Sequence, residues 1–208
     1  MIIPKNALAV RHAASKDETR HTLTGVYISQ NCNTAEAAAT DGRILLRARW
    51  QTGNAEKEYP VIPNEPIDID EKAASGILPR EAVDNLVSSL PKKKHLPILS
   101  FVKLLWQKDR RATVITTGGV ETANITPLKL VDGSYPNYEL VMLKKENVNI
   151  TLRFAVSELK KLLAVLKEAG AETVTFGIKD DSSQVAIEAI SPDNTVIDGA
   201  IMPIKGRR

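Results

Sequence analysis

Aromatic side chains are scarce in this 208-residue chain, only 4% of the total, so its interior must be built from Leu, Ile, Val and Ala. Cysteine is nearly missing as well. With Cys32 alone, neither an internal disulfide nor a cysteine metal cluster can form, which fits a reducing, cytoplasmic setting. Long apolar runs are lacking too. No stretch approaches the ~20 residues of a membrane span, and the opening MIIPKNALAV has neither the length nor the cleavage pattern of a signal peptide. Nor is either sign of charge in large excess. A net charge of +3 does not argue for nucleic-acid binding unless the basic residues cluster.

Catalytic patterns are equally hard to find. His12, His21 and His95 are scattered, with no Cys or His partner at metal-ligand spacing. Gly118-Gly119 has no Lys-Ser/Thr and helix after it, so it reads as a hairpin turn rather than a phosphate loop. Asp68 and Asp70 fall in a proline-rich connector, where solvation is expected rather than a metal pair. The sequence therefore predicts no enzyme, no cofactor and no bound metal.

What is present is a repeated pattern. A short extended start at 1–4 precedes a modest helix at 5–14, with Leu8, Val10, Ala13 and Ala14 on its apolar side. Residues 21–29 read as a strand, and 35–40 lead into an Asp41-Gly42 turn before a strand at 43–50. A strand at 58–62 and an acidic, proline-rich connector follow. The pattern restarts at 76–78, with a helix over 80–90 carrying Val83, Leu86, Val87 and Leu90 at helical spacing. Strands are predicted over 98–106, 111–117 and 120–130. It restarts once more at 149–154, with Ser157 as expected N-cap of a helix over 158–169 and strands at 173–179, 184–190 and 195–203. The chain thus reads as α+β, three consecutive β-α-β-β-β units at about 1–62, 76–131 and 148–204. Helices are expected on one face of antiparallel sheets. The domain reading is one complete pair of units over 1–143 and a half domain over 144–208.

Between the second and third units lies KLVDGSYPNYELVML, residues 129–143. Asp132-Gly133 supplies a positive φ, and Pro136 fixes its own φ while pushing Tyr135 into an extended conformation. A rigid elbow carrying two tyrosines is expected there. The exposed helix faces are mostly basic. Lys5 and Arg11 lie on the first, Arg80 and then Lys92, Lys93 and Lys94 on or after the second, and Lys160, Lys161 and Lys167 on the third. Such a face is usually only a solvated one.

Four stretches together resemble the bacterial DNA polymerase sliding clamp, the β subunit of the replicative polymerase. Arg20 to Val26 with Ala39-Thr40-Asp41-Gly42-Arg43 is similar to the middle-domain strand and Ala-Thr-Asp-Gly-His-Arg-Leu turn of that family. Residues 130–138, LVDGSYPNY, resemble its Leu-Val-Asp-Gly-Arg-Phe-Pro-Asp-Tyr elbow. Residues 150–203 resemble its last half domain, and Ile201-Met202-Pro203-Ile204 its C-terminal Val-Met-Pro-Met. The resemblance implies a DNA-clamp fold. It departs from the family at the Asp-Gly turn, where Arg43 follows Gly42 directly, and in matching only three of the six units of a family chain.

The resemblance also implies an apolar pocket for short linear peptide motifs, lined here by Thr40, Gly42, Arg43, Ile44, Pro136, Leu140, Met202, Pro203 and Ile204. Proline gives such a pocket a fixed wall, and Leu, Ile and Met give it adaptable apolar surface. The implied function is that of a noncatalytic processivity factor. It would bind DNA polymerase, clamp-loader or repair proteins and encircle duplex DNA as a homo-oligomer, with the nine basic residues above facing DNA. The alternative is a monomeric adaptor or decoy that keeps the peptide pocket and never surrounds DNA.

Overall fold

The structure, a computed structural model, describes residues 1–52, 59–60, 62, 66, 68–70, 72–90, 97–118, 123–142 and 147–204. Its polypeptide forms two units, Met1–Tyr138 and Glu139–Arg208. The expected strand at 58–62, the Lys92–Lys94 run and the second glycine of the Gly118-Gly119 turn fall wholly or partly outside the described residues.

In the first unit, the repeat read from the sequence is not the unit of sheet pairing. One antiparallel sheet holds β2 (Gly25–Asn31), β3 (Thr34–Thr40) and β4 (Leu45–Gln51), with β5 (Ser75–Pro79) added along the outer edge of β2. The other holds β6 (Phe101–Gln107), β7 (Arg111–Thr117) and β8 (Ala123–Lys129), with β1 (Ile2–Pro4) added along β6. Each repeat therefore donates its first strand to its sister's sheet. The exchange fixes register, with Val26 opposite Leu78 and Ile3 opposite Val102. All four are buried to within 1%, so a one-residue slip would turn each apolar row out to solvent.

Helices α1 (Arg80–Ser89) and a 3₁₀ segment (Lys5–Ala13) share one core with the inner faces of both sheets. The 5–14 stretch was expected as a helix, and its 3₁₀ form follows from its spacing. Of its buried residues Ala7, Leu8, Val10 and Ala13, three stand three residues apart, the period at which 3₁₀ side chains eclipse. Against it lies the alanine-rich β3, in which Ala37, Ala38 and Ala39 are fully buried. Only a methyl leaves room for so close a helix. Trp50 Nε1 donates to the Ile2 carbonyl at 2.9 Å, tying the first sheet to the strand it gave away.

The 21–29 strand begins later than expected. Asp17 Oδ1 accepts from the Thr19 N–H at 3.0 Å and caps a 3₁₀ turn over Glu18–Leu23, so extension starts at Gly25. Asp109 and Arg110 both take positive φ, as the tight hairpin between β6 and β7 requires.

Among the described residues, the second unit has a single three-stranded sheet, β9 (Thr175–Gly177), β10 (Val185–Ile190) and β11 (Val196–Ile201), under helix α2 (Val156–Glu168). Ser157 does not cap α2. The helix starts two residues earlier, at Val156 after Ala155, without a side-chain cap. The expected strand at 149–154 is not formed. A first strand in this fold pairs with a sister sheet, and this unit contains none. The third β-α-β-β-β repeat is accordingly α-β-β-β in the structure.

Candidate functional site

In the first unit the candidate residues gather on the loop between β3 and β4. Thr40 Oγ1 accepts from the Gly42 N–H at 3.0 Å and donates to the Ile44 carbonyl at 2.7 Å. Asp41 Oδ1 accepts from the Arg43 and Ile44 N–H groups at 2.8 and 2.9 Å. These two amide bonds hold the Asp41 carboxyl below the usual carboxylate range. Gly42 has a φ of 90°, and a Cβ there would come within 2.9 Å of Arg20 Nη1. Arg20 donates from that atom to the Asp41 carbonyl at 3.3 Å. The turn is thus locked from both sides while its apolar residue, Ile44, stays 48% exposed beside Leu46 at 43%.

The elbow packs against the same sheet. Gly133 has a φ of 106°, as expected of Asp-Gly, and the Val131 N–H donates to the Ile77 carbonyl at 2.9 Å. Beyond it, Tyr135 stacks on Tyr27 with ring centroids 5.1 Å apart, and Tyr138 meets both rings edge-on at 6.0 and 6.1 Å. Tyr138 donates its hydroxyl to Glu36 Oε1. Burial pushes the Tyr135 phenol up to about 12, against the opposing effect of the Thr40 backbone beside it. Burial and Glu36 push Tyr138 up too. Three of the four tyrosines therefore clamp the elbow to β2 and β3, leaving Pro136 exposed.

The remaining pocket candidates belong to the second unit. Leu140 sits on a 3₁₀ turn and is 82% exposed. Met202, Pro203 and Ile204 follow β11, with Met202 62% and Ile204 52% exposed. The Ile204 N–H donates to the Arg153 carbonyl at 2.7 Å, which holds this tail on its own unit. The nine candidates thus form two sets, Thr40 to Ile44 with Pro136, and Leu140 with Met202 to Ile204. Both sets present apolar side chains that their own units leave uncovered.

The basic candidates differ among themselves. Arg11 Nε lies 2.7 Å from Asp84 Oδ1, and Arg80 Nε 3.6 Å from Asp84 Oδ2. Arg80 also donates to the Ala14 carbonyl at 3.2 Å. These two arginines bind the 3₁₀ segment to α1, and their side chains are only 15% and 22% exposed. Lys5 lies half-buried on the 3₁₀ segment. Lys160, Lys161 and Lys167 are exposed on α2, with Lys161 3.1 Å from Glu158. Among the described residues, no group of His, Cys, Asp or Glu could hold a metal ion. No helix among them is long and apolar enough to cross a membrane.

Sequence reading missed Arg20, Tyr27 and Glu36 as supports of the site. Tyr27 could have been found from its alternation with the buried Val26 and Ile28, which turns it to the opposite face of β2. Nothing in the sequence pointed to Glu36 as the acceptor for a tyrosine 102 residues away.

No family model matches the chain. It is 27% identical over 183 residues to the beta sliding clamp of Synechocystis, a match covering 85% of this chain and 43% of that protein. In structure it superposes on the DNA polymerase III subunit beta of Pseudomonas aeruginosa with a TM-score of 0.68 at 18% identity. That match covers 98% of this chain and 50% of the other. The beta subunit from Thermotoga maritima gives a TM-score of 0.62 at 20% identity, over 98% and 49%. The chain spans about half the length of these proteins.

Proposed function

From a chain that has the bacterial sliding-clamp fold and resembles the β clamp at half its length, we propose a noncatalytic clamp-like protein that binds short linear motifs of replication or repair proteins. The observation that carries this reading is the Thr40–Ile44 turn. The side chains of Thr40, Asp41 and Arg20 hold five of its backbone groups, yet it presents Ile44 to solvent. A rigid turn with an uncovered apolar residue, next to an elbow fixed by stacked tyrosines, is a preorganised docking surface. Met202, Pro203, Ile204 and Leu140 supply the second apolar set. About 400 Å² of apolar burial at ~25 cal/mol per Å² gives ~10 kcal/mol, above the ~8 kcal/mol of a micromolar complex before ordering costs.

Titration with a fluorescent Gln-Leu-x-Leu-Phe peptide tests this. Micromolar binding is expected, with at least a tenfold loss in a Pro136→Ala, Met202→Ala double variant. Absence of binding to the wild-type protein would overturn the reading.

Encirclement of duplex DNA by an oligomer belongs to the same proposal, with Lys160, Lys161 and Lys167, exposed on α2, as the residues that would meet phosphates. Contacts of this kind are independent of sequence and weaken steeply with salt. A second reading, an adaptor that keeps peptide binding and never surrounds DNA, is favoured by one observation. Asp84 lies against both Arg11 and Arg80 inside the first unit and offsets one of their two charges, which leaves less basic surface for phosphates. Light scattering discriminates between the two: a monomer with intact peptide affinity is the adaptor.

A further inference from the structure

The second unit leaves much more apolar surface uncovered than the first. Among the described residues, the exposed large apolar side chains of Met1–Tyr138 are Ile44, Leu46, Ile69 and Ile125. In the smaller Glu139–Arg208 they include Ile150 at 45%, Val156 at 81%, Leu163 at 56%, Phe176 at 41% and Ile178 at 48%. The first unit shows what covers such positions. Aligning the residues that precede the two helices, Pro79 and Ala155, places Leu78 with Phe154, Ile77 with Arg153 and Val87 with Leu163. Matching the core-facing pairs, Ile28 opposite the buried Ala37 and Phe176 opposite the buried Ile187, places Ile28 with Phe176 and Val26 with Val174. Ile28 and Leu78 are fully buried because β5 lies along β2, and Val87 packs into the shared core. Their counterparts Phe176 and Leu163 are open because, among the described residues, β9 has no strand on its outer edge and this unit has no second α-helix.

The donor segment is nonetheless in place. In the first unit the Ile77 carbonyl accepts from Val131, just past β8. In the second, the Arg153 carbonyl at the matching position accepts from Ile204, just past β11. One side of 149–154 is thus fixed to its own unit as β5 is, and no strand among the described residues pairs with the other side. A unit that carries both an unpaired donor and an unpaired acceptor edge is self-complementary, the condition for a closed two-fold contact.

We infer that two copies of this chain associate through their second units. Residues 149–154 of each lie antiparallel along β9 of the other, and the two α2 helices pack face to face. The register set by β5 on β2 puts Phe154 opposite the partner copy's Val174 and Arg153 opposite its Thr175. Charge agrees with this register, because Thr175 pairs on its other side with Glu188, exposed on the same sheet face as Arg153 would be. Area bears on it as well. At their observed exposures of 41–81%, the five open side chains offer roughly 400 Å² of apolar surface. That is about half of the ~800 Å² per partner of a stable interface, and the paired strands add to it. The pairing is read from the chain's own strand exchange, independently of peptide or DNA binding, and its test uses neither.

The 208-residue chain at micromolar concentration is expected to sediment as a dimer or a multiple of one. Leu163→Asp and Phe176→Asp, both at exposed positions, are expected to yield folded monomers by circular dichroism and sedimentation. In a Cys32→Ser background, oxidising a mixture of Arg153→Cys and Thr175→Cys chains is expected to give a disulfide-linked pair that neither chain gives alone, since opposed residues of this kind bring their Cβ atoms close. A monomeric wild type, variants that stay associated, or an absent mixed disulfide would each overturn the inference. An occupant other than a second copy would appear as the first or the last of these.

Discussion

Gly133 has a φ of 106°, and a Cβ there would lie 2.8 Å from Thr22 Cγ2. Gly133→Ala is expected to destabilise the first unit by about 1 kcal/mol or more, read from urea unfolding. Asp132-Gly133 and Pro136 were legible as an elbow because glycine and proline act on their own backbone. The tyrosine cluster was not, since stacking needs β2 and the elbow side by side. Tyr138→Phe removes a hydrogen bond to a carboxylate and is expected to cost about 1.5 kcal/mol. Titration adds a pH signature. The raised Tyr135 phenol favours its neutral form in the fold, so its contribution is complete below the unfolded pKa of ~10 and is lost as pH rises toward about 12. Asp41, Asp17 and Asp193 are lowered instead by hydrogen bonds to their carboxylates. Their contributions are present above ~4 and are lost as acid protonates them. Thermal melts across both limbs should fall at each end, with the alkaline limb softened in Tyr135→Phe.

At the scale of elements, α1 was readable from Val83, Leu86, Val87 and Leu90, and its observed span of Arg80–Ser89 stops one residue short of the expected end. β3 was harder to see. Alanine has poor strand propensity, and a TAEAAAT stretch is extended only because the 3₁₀ segment presses on it and leaves room for methyl groups. The charged face of the helical layer was legible only as composition. Its two arginines are drawn inward by Asp84, itself half-exposed. Asp84→Asn is expected to lower stability by about 1 kcal/mol, discounted for solvent screening. The same change frees Arg11 and Arg80, so any duplex DNA affinity at low salt should rise, as fluorescence anisotropy would show.

At the scale of the molecule, the two units have unequal cores. The first buries a large cluster running through both sheets and both helical segments, whereas the second centres on Val185, Ile187 and Ile201. Calorimetry is expected to show two transitions, the lower one from Glu139–Arg208. If second units pair between copies, that lower transition rises with protein concentration while the upper one does not.

The three repeats, the helix stripes, the turn signals and the resemblance to sliding clamps were all carried by the sequence alone. Each depends on residues near one another in the chain or on a pattern along it. Strand ownership was decided only in three dimensions. A first strand has the same local signals whether it pairs with its own repeat or a sister, and only the second sheet determines where its hydrogen bonds go. That is why residues 75–79 form β5 and residues 149–154, equally strand-like in sequence, do not. The Thr40–Ile44 turn stands between these cases: its Thr-Asp-Gly chemistry was written in the chain, but the bond from Arg20 to the Asp41 carbonyl was brought there by the fold.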